Sequence, residues 1–438
     1  MKVLLGLSGG VDSAVSAYLL LKAGHEVTGC FMRNWDALAN GDYLGNPTIN
    51  NDQCPQEKDY DDAQKVADKL GIKLLRIDYI KEYWDNVFTY LIKEYECGRT
   101  PNPDIFCNKY IKFGPFLDYA KKNGYDAIAM GHYAKRIDKD GLSYLLKSFD
   151  KNKDQTYFLS QISQEQLSFC LFPLGDIDKP EVRRIAHELD LESVMDKKDS
   201  TGICFIGERN FKDFLKNYIP AQRGDIIDIE TGRKLGEHEG AMYHTIGQRK
   251  GLGIGGIHGE EARGWFVVSK DIKKNIVYVA SGDENNYLYS KGCTVTNLNW
   301  ISKVPEIGKP LNAKFRYRQA DNPIIISKIE GDELTIEFVN PIKAVTPGQA
   351  AVIYDGDICL GLSPRPPAGL RAAHPDAGGG GGGHLVLRGR DLLQAGGGGR
   401  HRGGAAAVGQ SRAGGRQQAH PRRPDRGASL PGPGAPAP

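Results

Sequence analysis

The sequence predicts an α/β protein that begins with a Rossmann-like, doubly wound parallel sheet and continues with a small mixed α/β domain and a C-terminal β-barrel. Over residues 2–132, short apolar runs alternate with amphipathic helical stretches, the pattern of a parallel sheet covered by helices. Residues 209–284 change to short strands and glycine-rich turns. Residues 285–361 contain five or six strand-like runs separated by turns, which is typical of a small barrel.

The predicted domains are residues 1–208, 209–284 and 285–361, followed by a tail at residues 362–438. The tail holds 20 Gly and no Lys, Ile or aromatic residue, so we expect it to be disordered and to be a frameshift or assembly artefact. A basic RNA-binding arm is the alternative. Eleven Arg and three Asp give the tail a net charge of +8, which leaves residues 1–361 with −5 of the chain's +3. Any nucleic-acid contact there must use local basic patches.

Composition favours a cytoplasmic protein. Met1 leads directly into a strand, and no apolar run approaches the roughly 20 residues of a membrane span. The eight cysteines are sparse, which argues against a disulfide scaffold, and they include no C-x-x-C pair, which argues against a zinc ribbon. In a reducing compartment, a notable cysteine is either buried or reactive.

The first strand and the first helix are joined by a loop that can bind an anion. Residues 2–7 form a predicted strand, residues 14–23 a predicted helix, and Ser8-Gly9-Gly10-Val11-Asp12-Ser13 lies between them. Paired glycines let backbone N–H groups converge on an anion at the helix N-terminus. The loop has no lysine, unlike the GxxxxGK[ST] phosphate loop, and Asp12 suits a bridging divalent cation. An ordinary glycine turn is the alternative.

The following elements alternate in the same way. We expect strands at residues 25–32, 73–78 and 127–132, and helices at residues 59–70, 82–96, 109–122 and 180–189. Ligands of such sheets bind at the carboxyl ends of the strands, so Met32 and Gly131 should lie beside the loop. One apolar side chain and one position without a side chain suit an adenosine pocket, although ordinary packing explains each residue equally well.

Two cysteines lie in stretches that suit reactive groups. Cys107 follows a rigid Pro101–Asp104 turn and falls at about the start of the next predicted helix, where a thiol pKa is lowered. Cys204 lies between glycines in the irregular stretch 199–207. A small buried cysteine is the ordinary alternative for both.

Two later stretches suit RNA. Residues 244–253, HTIGQRKGLG, carry Arg249 and Lys250 in a glycine-rich loop, and a plain hairpin loop is the alternative. Residues 315–318, FRYR, alternate aromatic and basic residues on a predicted strand. Such a strand can stack bases and pair phosphates, although a half-buried edge strand shows the same alternation.

The SGGVDS loop resembles the signature of the PP-loop ATP pyrophosphatases, and residues 1–361 together resemble the bacterial tRNA-specific 2-thiouridylase family. The resemblance is carried by GLSGGVDS at residues 6–13, FMRNW at 31–35, TPNPDIFCNKYIKFG at 100–114 and MGHYA at 130–134. It continues in KDQTYFL at 153–159, DSTGICFIG at 199–207, HTIGQRKGLGI at 244–254, RYRQ at 316–319 and TPGQAAVIYDGD at 346–357.

The resemblance implies thiolation of the wobble uridine, U34, of tRNA. ATP adenylates the C2 oxygen, a persulfide on Cys204 delivers sulfur, Cys107 assists release through a disulfide with Cys204, and Asp104 is the general acid–base. The implied ATP-binding residues are Gly6, Leu7, Ser8, Gly9, Gly10, Val11, Asp12, Ser13, Met32 and Gly131, with Mg²⁺ as the accompanying ion. The implied tRNA contacts are Asn102, Pro103, Asp104, His132, Asp154, Gln155, Thr156, Arg316, Tyr317 and Gln349.

The implied partners are tRNAs with lysine, glutamate or glutamine anticodons and a protein that donates persulfide sulfur. The sequence departs from the family pattern after Gly361, where Leu362-Ser363-Pro364 replaces glycines and an apolar residue, so the last barrel strand should be incomplete. Two rival hypotheses are a different PP-loop enzyme, such as an amidating ligase, and a non-catalytic protein that binds ATP or RNA. The two cysteine motifs favour thiolation over both.

Overall fold

The computed structural model describes residues 1–51, 54–198, 203, 206–207, 209–254, 263–361 and 371–372. Cys204 lies outside the described residues, as does the predicted tail apart from residues 371–372. Within the described residues, no helix is both long enough and apolar enough to cross a membrane.

The strands of the described residues are β1 (Lys2–Gly6), β2 (Glu26–Arg33), β3 (Lys73–Asp78), β4 (Ala127–Ala129), β5 (Ala134–Lys139), β6 (Leu142–Lys147), β7 (Cys170–Leu171), β8 (Gly224–Asp228), β9 (Lys234–His238), β10 (Trp265–Asp271), β11 (Ile276–Ser281), β12 (Tyr289–Thr296), β13 (Pro310–Lys314), β14 (Asn322–Glu330), β15 (Glu333–Lys343), β16 (Val352–Asp355), β17 (Ile358–Gly361) and β18 (Arg371–Ala372). The α-helices are α1 (Val11–Lys22), α2 (Pro55–Leu70), α3 (Ile80–Tyr83), α4 (Thr89–Glu96), α5 (Pro103–Cys107), α6 (Pro115–Lys122), α7 (Gln164–Ser168), α8 (Lys179–Glu188) and α9 (Phe211–Lys216).

The first sheet confirms the predicted doubly wound α/β architecture. Its strand order is β3-β2-β1-β4-β7, and every neighbouring pair is parallel. The chain runs outward from β1 to β2 and β3, and then returns to the other side of β1 with β4. The order therefore reverses between β1 and β4, and ligands of such sheets bind at the strand ends beside this reversal.

Both faces of this sheet are buried. Alternate side chains of β1 point to opposite faces, so Leu4 joins one hydrophobic core while Val3 and Leu5 join another. The core on the Leu4 side also contains Met32 and Cys107. Residues from two stretches that the sequence analysis treated separately thus share one core.

Two predicted helices are broken by π-helical turns. The helix expected at residues 82–96 consists of α3, a π-turn at Trp84–Phe88, and α4. The helix expected at residues 109–122 instead begins at Pro103 as α5, passes through a π-turn at Asn108–Lys112, and resumes as α6 at Pro115. The expectation of one regular helix from residue 109 was therefore wrong.

The remaining strands form two sheets. A four-stranded sheet has the order β10-β11-β8-β9, in which the consecutive strands β10 and β11 pair antiparallel as a hairpin. A nine-stranded sheet has the order β18-β12-β15-β14-β13-β16-β17-β6-β5. The β5–β6 hairpin belongs to the first predicted domain, yet β6 pairs antiparallel with β17. The C-terminal strands are therefore joined by backbone hydrogen bonds to the part of the chain that holds the parallel sheet.

Candidate active site

The loop between β1 and α1 has a fixed internal hydrogen-bond pattern. The Ser8 N–H donates to Ser13 Oγ over 3.2 Å, and the Ser13 hydroxyl donates to the Gly10 carbonyl over 2.9 Å. Helix α1 begins after Gly10, which has no side chain to cap its first turn. The first amides of a helix are donors in need of acceptors, so the loop and helix start can bind an anion.

Gly9 is required by its conformation and by its surroundings. Its φ is +69°, in the left-handed region, and a Cβ built there would lie 2.0 Å from the backbone oxygen of Asp59. No side chain fits that distance. The start of α2 therefore presses directly against the loop.

Two residues from outside the loop meet Asp12. Its Oδ1 accepts hydrogen bonds from the Lys179 ammonium and the Tyr133 hydroxyl, both at 2.8 Å. The loop itself contains no lysine, and Lys179, which was not predicted from the sequence, lies 167 residues further along the chain at the start of α8. An Asp178 N-cap followed by Lys179-Pro180 marks that helix start in the sequence.

Asp12 has chemistry that fits a magnesium ion. Carboxylate oxygens and phosphate oxygens are the ligands that Mg²⁺ takes in nucleotide sites. A carboxylate has about four lone-pair positions, and two donors occupy part of that capacity at Oδ1. The residues of the loop are therefore compatible with the ion. Groups of three or more His, Cys, Asp or Glu able to hold a metal are absent from the described part of the chain.

Met32 and Gly131 both lie beside the loop. A Cβ at Gly6 would be 3.1 Å from the Met32 methyl group and 3.0 Å from the Met130 sulfur. A Cβ at Gly131 would be 3.1 Å from the Ser13 nitrogen. The site thus has an apolar wall next to a close backbone approach, at the strand ends where the sheet order reverses.

The first cysteine lies on a helix that starts earlier than expected. Asn102 caps α5 by accepting a hydrogen bond from the Asp104 N–H over 3.1 Å, and Pro103 occupies the first helical position. Cys107 is therefore the last residue of α5 rather than the first residue of a helix, and the expectation of a helix N-terminus at its thiol was wrong. The thiol is fully buried in the core that contains Met32.

The stretch at residues 153–159 packs against residues 102–112, which comprise the capped helix α5 and the π-turn after it and are called the cysteine turn. The Asn108 side-chain amide donates to the Phe158 carbonyl, and the Lys109 ammonium donates to Gln161 Oε1, each over 3.0 Å. Asp154 is buried and accepts a hydrogen bond from the Thr156 hydroxyl over 2.8 Å. Burial raises the pKa of the Asp154 carboxyl, although hydrogen bonds from Thr156 and the Ser148 N–H oppose the rise.

Gln155 is hydrogen-bonded to Tyr133, the residue that follows His132 in the segment after β4. Gln155 Oε1 accepts from the Tyr133 N–H over 3.0 Å, and the Gln155 N–H donates to the Tyr133 carbonyl over 2.8 Å. His132 is buried, with its Nε2 3.4 Å from the Lys112 ammonium. Burial, and then the charge of Lys112, hold the pKa of His132 well below its ordinary value.

Arg316, Tyr317 and Gln349 gather at the other side of the cysteine turn. Residues 315–318 follow the end of β13 at Lys314 as a bend and turn, so the expectation of an alternating strand was wrong. Tyr317 packs on Phe158 with ring centroids 4.2 Å apart. Burial first, then neighbouring carboxylates that include Asp154 and Asp104, raise the pKa of Tyr317.

Hydrogen bonds join three distant stretches at Thr100, just before the cysteine turn. The Gln349 side-chain amide donates to the Thr100 carbonyl over 2.7 Å, and the Thr100 N–H donates to the Pro347 carbonyl over 2.9 Å. The Thr100 and Thr245 hydroxyls are 3.2 Å apart. The Thr100–Asp104 stretch is therefore held by residues from all three predicted domains.

Cys204 is not among the described residues, but some of its chain neighbours are. Ile203 accepts from the Gly207 N–H over 2.9 Å. Ile206 is buried in the same hydrophobic core as Cys107. Arg209 forms a 2.9 Å ion pair with the fully buried Asp42. The described neighbours on the C-terminal side of Cys204 are thus fixed next to the parallel sheet.

Family models match the chain in three consecutive pieces. Residues 1–208 match a tRNA methyl transferase HUP domain, residues 212–281 a tRNA methyl transferase PRC-barrel domain, and residues 290–363 an aminomethyltransferase beta-barrel domain. Together these matches agree with a parallel α/β sheet followed by two β-rich parts. Residues 364–438 lie outside all three.

Curated relatives match over almost their whole length. A protein named tRNA-specific 2-thiouridylase MnmA from Mycoplasma capricolum subsp. capricolum is 56% identical over 368 residues, covering 82% of this chain and 97% of the relative. The protein of the same name from Mesoplasma florum is 55% identical over 370 residues, with the same coverage. That from Pectobacterium carotovorum subsp. carotovorum is 50% identical over 362 residues, covering 95% of the relative.

Solved structures give more remote likenesses. A 4-thiouridine synthetase in complex with RNA and bound ATP is 15% identical with a TM-score of 0.29, covering 50% of this chain and 46% of its own. The NMN synthetase from Francisella tularensis is 17% identical with a TM-score of 0.28. The sequence identity to full-length relatives is what decides the assignment: this chain belongs to the tRNA-specific 2-thiouridylase family.

Proposed function

We propose that this chain is a tRNA-uridine 2-sulfurtransferase, which converts the wobble uridine U34 to 2-thiouridine and ATP to AMP and pyrophosphate. The observation that supports this most directly is that the segment after β4 contacts both parts of the site. A Cβ at Gly131 would lie 3.1 Å from the Ser13 nitrogen of the anion-binding loop, and the next residue, His132, has its Nε2 3.4 Å from the ammonium of Lys112 in the π-turn after Cys107. Such an arrangement suits a reaction in which a nucleotide activates an atom that sulfur then replaces.

The first step is adenylation. A uracil C2 carbonyl is a poor electrophile, and its oxygen is a poor leaving group. The C2 oxygen attacks the α-phosphate of ATP, an O–P bond forms, and pyrophosphate leaves. Gly6–Ser13, Met32 and Gly131 bind the nucleotide, and Asp12 would hold Mg²⁺, which would offset the phosphate charge. Backbone N–H groups of the loop hold the negative charge that develops on the phosphates.

The second step is sulfur transfer. The terminal sulfur of a persulfide on Cys204 attacks C2, and AMP leaves with the former C2 oxygen. The Cys107 thiolate then attacks the Cys204 sulfur, which releases 2-thiouridine and leaves a Cys107–Cys204 disulfide. A thiol reductant restores both thiols.

Asp104 is assigned the role of general acid–base at the target base. It occupies the first turn of α5 beside the Asn102 cap, and its charge acts on Tyr317. A carboxylate next to the base can act as general acid–base. Asn102, Pro103 and Asp104 contact the uridine, and an anticodon loop leaves this base easily unstacked.

The remaining tRNA contacts are assigned to residues around the same turn. They are His132, Asp154, Gln155, Thr156, Arg316, Tyr317 and Gln349. Their residues come from the predicted domains 1–208 and 285–361, so both domains contact the anticodon arm. The preferred tRNAs are those with lysine, glutamate and glutamine anticodons, and the sulfur comes from a cytoplasmic cysteine desulfurase or sulfur-relay protein.

The test is pyrophosphate release with purified protein. We expect release to require both ATP and a tRNA that carries an unmodified U34. A tRNA with cytidine at position 34 is the matched control, and it should release pyrophosphate only at the background rate. Equal release with both tRNAs, or release without tRNA at the same rate, would contradict the assignment.

A further inference from the structure

A lysine outside the loop holds the loop backbone. The Lys197 ammonium donates hydrogen bonds to the Gly9 carbonyl over 2.8 Å, to Asp59 Oδ1 over 2.7 Å and to Asp62 Oδ2 over 2.8 Å. Lys197 lies 188 residues from Gly9 in the sequence. Its side chain therefore joins the loop to α2, which carries both carboxylates.

The hydrogen-bonding capacity of Lys197 is fully used by these contacts. A lysine ammonium has three N–H donors and no acceptor, and three acceptors lie within 2.8 Å. Its positive charge is also compensated. Burial by itself would lower the pKa of Lys197, but hydrogen bonds from the ammonium to Asp59 and Asp62 raise this pKa overall. A phosphate would have to displace one of these partners, so Lys197 is not a direct phosphate ligand.

The contact with the Gly9 carbonyl fixes the direction of the next amide. A trans peptide is planar, with its C=O and N–H groups pointing in opposite directions. With the Gly9 oxygen directed at Lys197, the Gly10 N–H is directed away from Lys197 and α2. Gly9 has φ +69° and no side chain, so its own torsions would otherwise leave this peptide unusually free to turn.

We propose that Lys197 is a positioning residue that sets the orientation of the Gly9–Gly10 peptide, and thereby the affinity of the loop for the ATP phosphates. The inference rests on the proposed function, because it assigns the loop to ATP. Lys179, which donates to Asp12 on the loop's helix side, is a separate contact.

The test is binding of a non-hydrolysable ATP analogue, measured by calorimetry in the absence of tRNA. We expect Lys197→Met to raise the dissociation constant of the analogue about tenfold or more, the size expected when a charge-assisted hydrogen bond is lost. Lys197→Arg keeps the charge and should recover part of this loss. Binding of tRNA without ATP should stay within about twofold of the wild-type value, a split that general unfolding would not produce.

The neighbouring Lys198 offers a matched control, because its side chain is exposed. Lys198→Met should bind the analogue as the wild type does. If thermal melting shows that Lys197→Met is unfolded, Asp62→Asn replaces it, since it removes one charged partner of Lys197 and should still weaken analogue binding. Unchanged binding in the folded variant overturns this inference. A wild-type protein that does not bind the analogue overturns the proposed function instead.

Discussion

At the scale of single residues, Gly9 shows what the sequence can and cannot predict. The Gly9-Gly10 pair predicts a loop with converging amides, because only glycine adopts such torsions at little cost. The contact that makes Gly9 irreplaceable is with Asp59, 50 residues later. A glycine pair carries no information about which later element presses on it. Lys179 and Lys197 were missed for the same reason.

Replacement of Gly9 should therefore cost far more than its torsion alone. Gly9→Ala places a Cβ 2.0 Å from the Asp59 oxygen, so the loop or α2 must shift, and ATP-analogue binding should fall by at least about tenfold. Gly24→Ala is the matched control, because Gly24 has φ +79° with nothing within 4 Å of the added Cβ. It should lose only about 1–2 kcal/mol of stability and bind the analogue normally. If the Gly9 variant binds the ATP analogue as tightly as the wild type does, the close approach of Asp59 to Gly9 is unimportant for binding.

At the scale of elements, β1, β2 and β3 were predicted within one residue, because buried apolar runs mark them directly. The strand β4 ends at Ala129, three residues before its predicted end, and the two-residue strand β7 was not predicted. The start of α5 was missed although its signal is present. Asn102 followed by Pro103 is a capping residue followed by proline at the first helical position, but the same dipeptide also marks turns. The π-turns at Trp84–Phe88 and Asn108–Lys112 have no sequence signature that hydrophobic periodicity detects.

His244, a buried histidine beside the sheet of strands β8–β11, should make the stability of the protein depend on pH. His244 follows a 3₁₀ turn at Ala241–Tyr243 and is 3% exposed, with its ring 5.5 Å from that of His238. Burial, then the charges of His238, Lys212 and Lys270, lower the pKa of His244 to about 4. An unfolded histidine titrates near 6.5. The unfolded chain therefore binds this proton more readily than the folded chain.

Stability should consequently fall as the pH drops from about 6.5 to about 4, and His244 should account for at most roughly 3 kcal/mol of that loss. His244→Gln cannot titrate, so its free energy of unfolding should decline less over this window. Urea unfolding at pH 7, 6 and 5 measures the difference. His25→Gln, at the turn before β2, is the control and should decline like the wild type. The same decline in the His244 variant would contradict the assignment.

At the scale of the whole molecule, the separate parts were predicted but their connections were not. A hairpin such as β5–β6 is recognisable from its alternation, whereas its pairing with β17, more than 200 residues later, is a property of the folded chain. The hydrogen bonds that Thr100 forms with Thr245, Pro347 and Gln349 are likewise a property of the folded chain. Each of these residues lies in a motif that the sequence analysis singled out, yet the hydrogen bonds among them follow only from the three-dimensional arrangement.

Arg316 illustrates this point and yields a prediction. Its Nη2 donates to the Ile246 carbonyl over 2.7 Å, to the Ala344 carbonyl over 3.0 Å and to Thr346 Oγ1 over 2.6 Å. These acceptors lie in two different predicted domains, so Arg316 braces them together. Arg316→Ala should destabilise the protein by about 2–4 kcal/mol, because buried acceptors lose a charged donor. Thermal or urea unfolding measures the loss.

The neighbouring Arg318 is exposed, and Arg318→Ala should leave stability within about 0.5 kcal/mol of the wild type. The pair of variants separates two roles for Arg316. If Arg316 is a brace, its removal lowers stability. If it is only a phosphate contact, its removal lowers tRNA affinity and the salt dependence of binding without changing stability. Wild-type stability together with weakened tRNA binding in the Arg316 variant would refute the brace.

The central claim is that ATP activates the uridine and that Cys204 delivers the sulfur. The most direct measurement is mass spectrometry of tRNA nucleosides after incubation with ATP, a persulfide donor and each protein, with pyrophosphate release recorded in parallel. We expect 2-thiouridine from the wild type, and none from Cys204→Ala, which should retain part of its pyrophosphate release. Cys107→Ser should activate the base and fail to complete repeated turnover. Wild-type levels of 2-thiouridine from Cys204→Ala would contradict the account.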